Sequence, residues 1–359
     1  MIHDVVVLGA TVAGLTAART LARERFDVVV LDPNIEHRSA AIGHGVAAAG
    51  HASTVCQMRE AYGDAVAVEH VERNVRGATF IRQVLAESSL GGRELGFVDR
   101  SLHTSDPADL DDVAQLFRRA GARIDVAQRA LTSPALVVDP LDYAKALREQ
   151  AIDAGAQVTH GVTVTHVRRR EGATQIIYRT NLAWAREPGA VAAAACIDTL
   201  GVSPWGRHVR VGPAQWIPTV TARLAEPIRW VELRADGPAW LLRPDGDTHL
   251  VVGQKSTPGR IDEARATLER ELEAGGAQIV ASGKLAIDPS DHGRPVVGAS
   301  AIPGGYYARG NGRGELMNGT ASGLWLAETL VGQRREGQKL PLGRRLRAGA
   351  RARWLRRRR

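Results

Sequence analysis

The clearest chemical signal lies within the first thirty-two residues. Gly9 and Gly14 bracket Ala10-Thr11-Val12-Ala13, and Asp32 closes the next apolar run. A glycine turn lets backbone approach a diphosphate, amides at a helix start (Val12, Ala13) face its charge, and a carboxylate accepts hydrogen bonds from a ribose. That is the chemistry of holding a dinucleotide. Thr11 replaces the middle glycine of G-x-G-x-x-G, so its side chain must turn away from the phosphates or bond to them.

The elements that must position these residues are visible around them. Val5 to Leu8 is a β-branched run suited to a strand buried on both faces, Leu15, Ala18, Leu21 and Ala22 repeat at helical spacing, and Val28 to Leu31 is a second strand. Strand, turn, helix, strand and terminal acid form one βαβ unit. Further along, residues 59–90 and 107–121 read as helices, the latter opening at Pro107. Val220–Leu224, Val231–Arg234, Ala239–Leu242 and His249–Val252 read as strands of a largely antiparallel sheet, and Ile261–Glu273 as a helix.

Other function classes are narrowed by composition. The 359 residues are 44% hydrophobic, which excludes a mostly disordered chain, and at about 150 residues per domain they suffice for two. Cys56 and Cys196 are the only cysteines, too few for a disulfide framework or a zinc site, and they fit a reducing compartment. Residues 344–359 hold nine Arg, more than the net charge of +8, so the rest of the chain sums to −1. The basicity is a tail, and a neutral body argues against nucleic-acid tracking. No apolar run reaches the roughly 18 residues of a membrane helix, and the N-terminus lacks a signal-peptide pattern; the expectation is a cytoplasmic enzyme.

The stretch GATVAGLTAARTLARERFDVVVLD closely resembles the N-terminus of FAD-dependent oxidoreductases of the D-amino-acid oxidase, glycine oxidase and sarcosine oxidase superfamily. The likeness continues in order. Residues 133–140 with the helical run Leu141 to Ala154 and Gly155-Ala156 resemble the family's extended segment, helix and strand. Gly161 to Val167, including Val164, resembles the strand beside the adenine, and Ala195 to Trp205 the strand and glycine turn returning to the cofactor. Asp291–Gly298, Gly305–Gly314 and a helix from Glu315 to Leu330 resemble the last strand, glycine loop and flavin-facing helix.

This resemblance implies an α/β fold: a discontinuous Rossmann-like FAD domain (1–85, 140–212, 290–335) interleaved with a smaller, mainly antiparallel-sheet substrate domain (86–139, 213–289), then a basic tail (336–359). It implies FAD contacts from Gly9, Thr11, Val12, Ala13, Gly14, Asp32, Pro33, Arg38, Ser39, His44, Gly45, Val46, Val164, Thr199, Gly201 and Trp205. The glycine loop and helix start add Gly310, Asn311, Gly312, Arg313, Gly314, Glu315 and Leu316. Asn311 stands where many relatives have His. The expectation is non-covalent FAD, with a histidyl linkage through His44 or His51 as the alternative.

The implied reaction is hydride transfer from a carbon beside an amine nitrogen to flavin N5, giving an imine, with O2 or another acceptor re-oxidising the flavin. Trp240 falls at the aromatic position lining the substrate cavity in glycine-oxidase relatives, although a core tryptophan fits equally. Val251 falls where sarcosine-oxidase relatives place an oxygen-activating lysine. The arginine that clamps a substrate carboxylate is replaced by Ala286 or Ile287, which leaves Lys255, Lys284 and Arg313 as substitutes and Tyr307 as a further pocket candidate. The substrate expected is a small amine or modified amino acid; the alternative is a flavin monooxygenase or reductase using NAD(P)H.

Overall fold

The computed structural model describes residues 2–335 apart from 35–42, 104–105, 171, 182–187, 208, 210, 213–214 and 258. Arg38, Ser39 and the tail from 336 lie outside the described residues.

The chain opens with β1 (Ile2–Leu8), α1 (Val12–Arg23) and β2 (Val28–Leu31). Val5 to Leu8 and all of β2 are buried, as strands covered on both faces must be. Next come β3 (Val46–Ala47), α2 (Ala52–Tyr62), α3 (Asp64–Glu87) and β4 (Arg93–Arg100). The helix expected over 59–90 is thus two helices, because Gly63 at φ +86° breaks the run between them. Then follow α4 (Pro107–Arg119), β5 (Asp125–Ala127), β6 (Ala130–Val137), α5 (Pro140–Asp153) and β7 (Gln157–Thr159). Asp106 and Asp139 cap α4 and α5, each with proline at the first helical position.

The central part holds β8 (Val162–Arg170), β9 (Ala173–Thr180), β10 (Gly189–Asp198) and the short α6 (Pro204–Arg207). Last are β11 (Gln215–Arg223), β12 (Val231–Arg234), β13 (Ala239–Asp245), β14 (Thr248–Gly253), α7 (Ile261–Ala274), β15 (Gln278–Ile287), β16 (Val296–Ala299), β17 (Gly305–Arg309) and α8 (Glu315–Arg335).

These strands form two sheets. The first runs β16-β17-β10-β1-β2-β7, parallel from β17 to β7, with β9 and then β8 attached to β10 antiparallel. The second runs β15-β11-β14-β13-β12-β4-β6-β3, antiparallel except where β12 meets β4. The segment from 93 to 137 therefore joins strands far along the chain, and β3 reaches the second sheet from among the N-terminal elements.

Helices α1, α5 and α8 cover the first sheet over one apolar core that includes Leu15, Leu21, Leu147 and Leu326. α1 and α8 cross closely. A Cβ on Gly323 would run into the Ala13 carbonyl oxygen, and one on Gly319 would lie 3.1 Å from Val12 Cβ. Small residues on α8 thus bring the N-terminal ends of the two helices together. Among the described residues no helix is long and apolar enough to cross a membrane.

Candidate cofactor and substrate site

Gly9 leaves β1 at φ +104°, and a Cβ on Gly14 would run into the Gly9 carbonyl oxygen, so turn and helix close only with glycine at both positions. Thr11 caps α1. Its Oγ1 accepts from Gly14 N at 3.1 Å and donates to Thr199 Oγ1 at 2.9 Å, and Thr199 in turn donates to the Leu8 carbonyl at 2.8 Å. The threonine thus faces the sheet and leaves the Val12 and Ala13 amides, which have no intrahelical acceptor, at the open end of α1.

Asp32 is fully buried at the end of β2. Its Oδ1 accepts from Ala10 N at 3.1 Å, and its Oδ2 lies 3.3 Å from His160 Nδ1. Arg148 Nε donates to His160 Nε2 at 3.1 Å, which places the imidazole proton on Nδ1, facing the carboxylate. Asp198 closes the neighbouring turn by accepting from the amides of Leu200, Gly201 and Ser203 at 2.7–2.9 Å. Gly201 is at φ +73° and packs against Arg309. Asn181 Nδ2 donates to the Pro33 carbonyl at 2.7 Å, holding the chain after Asp32.

The glycine loop before α8 is tied from within. Asn318 Nδ2 donates to the Asn311 carbonyl at 2.8 Å, and Ser322 Oγ to Asn311 Oδ1 at 3.2 Å. Gly310 and Gly312 have positive φ, and Gly310 N donates to Asp288 Oδ2 at 3.1 Å. Arg309 pairs with the same Asp288 through two hydrogen bonds of 2.7 and 3.1 Å. Leu316 is buried, and desolvation with the nearby Asp288 charge pushes the Glu315 carboxyl up to about 8, against a hydrogen bond from Asn311.

A second cluster forms where this loop meets the second sheet. His44, ahead of β3, and His51, at the start of α2, bring their rings 6.0 Å apart, and Trp240 on β13 lies 5.4 and 5.2 Å from them. Phe97 on β4 lies 6.2 Å from His51, and the Arg313 guanidinium sits 4.4 Å above the Trp240 ring. Asp99 fixes the start of α2 by accepting from Ala52 N at 2.7 Å. Arg243 Nη1 donates to the His44 and Val138 carbonyls at 3.0 and 3.3 Å, pinning the His44 loop, whose Gly45 has no room for a Cβ beside it.

Electrostatically this cluster is a cation among neutral rings. Burial, reinforced by Arg243 and partly offset by the Arg313 backbone, lowers His44 to about 3; burial and the nearby His44 put His51 well below its usual value. His44 Nδ1 accepts from Val46 N at 3.3 Å, so its proton is on Nε2. Among the described residues the buried Nε2 atom of His51 has no hydrogen-bond partner. Burial lowers Arg313 to about 10, which leaves it charged, and among the described residues no acid pairs with it.

Of the other expected pocket residues, three lie elsewhere. Lys284 is on the edge strand β15, three strands from β13, stacked 4.6 Å over Trp216. Lys255 is exposed in a crevice of about 370 Å³ with Arg260 and Thr257. Tyr307 pairs with Asp198 and Gly298 in the first sheet and packs with Trp205 and Val164. Antiparallel register sends Lys284 outward and so separates it from Trp240. His160, Arg243, Phe97 and Asn318 were not anticipated; the first two act through contacts across 128 and 199 residues of chain, which local spacing cannot show.

The residues present fit FAD. Open amides at α1, a glycine cradle that any Cβ would fill, a buried carboxylate beside β1 and a glycine loop opening α8 provide the donor and acceptor set of a dinucleotide with a ring to hold. Residues 4–329 match the family model DAO, FAD dependent oxidoreductase. Among solved structures, the fold is similar to that of L-proline dehydrogenase from P.horikoshii (TM-score 0.69, 13% identity, 92% of this chain and 93% of that one). It is also similar to glycine oxidase from Bacillus cereus ATCC 14579 (0.65, 15%, 92% and 95%) and to L-amino acid deaminase from Proteus myxofaciens (0.69, 14%, 92% and 90%). At these identities the likeness is one of fold. A search of curated proteins finds no match.

Proposed function

The chain belongs to the DAO family of FAD-dependent oxidoreductases, and from that premise we propose that it oxidises a C–N bond of a small amine or modified amino acid bearing a carboxylate. FAD, when bound, supplies N5 as the hydride acceptor. The substrate carbon beside nitrogen gives up a hydride, the nitrogen gives up a proton, and the resulting imine is hydrolysed by water; O2 or another acceptor takes the electrons onward.

The residues of this chain bind and orient. Val12 and Ala13 amides with Gly9 and Gly14 receive the diphosphate, Asp32 the ribose, and the Asn311–Leu316 turn the flavin pyrimidine edge, where helix-start amides favour negative charge. Trp240 and Phe97 are buried rings beside them. Arg313 holds the substrate carboxylate.

The observation that carries this reading is the unpaired Arg313 guanidinium lying over Trp240 and beside His44 and His51. Arg313 is half-buried; a partly desolvated cation without a counter-ion is costly, and a bound carboxylate relieves that cost. The names of the fold relatives, which act on proline, glycine and other amino acids, point the same way. The test compares an amino-acid substrate with its decarboxylated amine. The amine is expected to show a KM about ten- to a hundredfold higher, from a charge-assisted contact of about 1.5–3 kcal/mol, and Arg313→Met to remove that preference. Equal KM values would contradict the assignment.

We also hold that FAD is bound non-covalently. Acid-precipitated protein is expected to release its yellow colour; a yellow pellet would move the assignment to a linkage through His44 or His51.

A further inference from the structure

We propose that Glu315 recognises bound FAD as a neutral acid, donating a hydrogen bond to a diphosphate or ribityl oxygen, so that cofactor binding is coupled to retention of one proton. This rests on the FAD reading above.

The geometry begins with the crossing of α1 and α8. The position a Cβ on Gly319 would take is 3.0 Å from Glu315 Oε1 and 3.1 Å from Val12 Cβ. A carboxyl oxygen of the first residue of α8 therefore comes within about 6 Å of the Val12 side chain, in the first turn of α1, whose amides are open to an anion. On its other side stands Gly43, where a Cβ would be 3.8 Å from Glu315 Cβ. An acid has been set at the mouth of an anion site.

The charges around it do not balance it. Asp288, the nearest acid, is of like sign and is occupied by Arg309. Arg313 is turned over Trp240. The other groups placed around it, Val12 of α1, Gly319 of α8, Gly43 and Asn311, carry no charge. Among the described residues no cation pairs with Glu315. An ionised carboxylate here would repel a diphosphate, whereas a protonated one adds a donor that a phosphate or hydroxyl oxygen can accept. Helix-start amides favour the ionised form, but desolvation and Asp288 prevail and raise the group to about 8.

The test is the FAD affinity of the apoprotein from pH 6.5 to 9.5, with proton exchange counted by calorimetry in buffers of different ionisation enthalpy. The expected Kd is flat up to about pH 8 and then rises by up to about tenfold per pH unit, with uptake approaching one proton per FAD at pH 9. Glu315→Gln, which has no proton to titrate, is expected to show no such slope. A native Kd flat to pH 9.5, no proton uptake at pH 9, or a slope that survives in Glu315→Gln would overturn the proposal. The native titration and proton count decide the matter even if the variant does not fold. FAD failing to bind at any pH would overturn the cofactor reading, and this inference with it.

Discussion

The two halves of the site are built in opposite ways. The proposed dinucleotide end is mostly local: Gly9, Thr11, Gly14 and Asp32 sit within one βαβ unit, and each acts within it or on the adjoining strand ends at Thr199 and His160. The proposed substrate end is assembled from four separated places, with His44 and His51 from one loop and helix start, Phe97 from β4, Trp240 and Arg243 from β13, and Arg313 from the loop before α8. Contiguous geometry tolerates little at single positions, whereas an assembled cluster depends on the contacts that pin each part.

That contrast can be broken at its strongest point. Gly14→Val forces a side chain into the Gly9 carbonyl, and a loss of about 3 kcal/mol in urea unfolding is expected together with loss of FAD binding. Normal FAD content in this variant would show that the turn is not as tight as described. At the other end, Arg313→Met should leave FAD content unchanged and raise KM for a carboxylated substrate about ten- to a hundredfold, from a loss of about 1.5–3 kcal/mol. Steady-state kinetics with flavin absorbance separate the two effects.

The buried histidines sharpen the contrast through pH. His44 and His70 are lowered to about 3 and 4, and His51 well below its usual value, chiefly by burial. Their unfolded counterparts bind protons below about pH 6.5 while the folded ones do not, so stability must fall as pH drops from there. Each contributes up to about 1.4 kcal/mol per pH unit until its folded value is reached. Urea midpoints at pH 7, 6 and 5 check this, and a midpoint constant across that range would contradict the burial of these rings. The smallest effect is expected from Thr11→Gly, which restores the usual glycine but removes the cap and the Thr199 bond. It should lower the urea-unfolding stability by a few tenths to about 1 kcal/mol and leave FAD affinity intact.

The same division explains what the sequence could show. β1, α1, β2 and the loop before α8 are legible because glycine and apolar spacing act over a few residues. The strands from β11 to β14 follow from alternation and turn residues. β15 was not expected, since its sequence Gln278 to Ile287 alternates weakly, as suits an edge strand largely exposed to solvent. Trp240 and Arg313 could be named singly, but only the fold stacks one over the other. Lys255 and Lys284 had equal standing with Arg313 by residue type; strand register and loop path set them apart. His160 and Arg243 carry no local pattern, and their roles exist only once distant segments meet.

The central claim is that FAD held here is reduced by an amine. Purified protein supplemented with FAD, freed of oxygen and mixed in turn with amines, amino acids and NADPH, tests it by the flavin absorption bands. The account predicts bleaching by a carboxylated amine and none by NADPH. Bleaching by NADPH alone would contradict it and point to a monooxygenase or reductase.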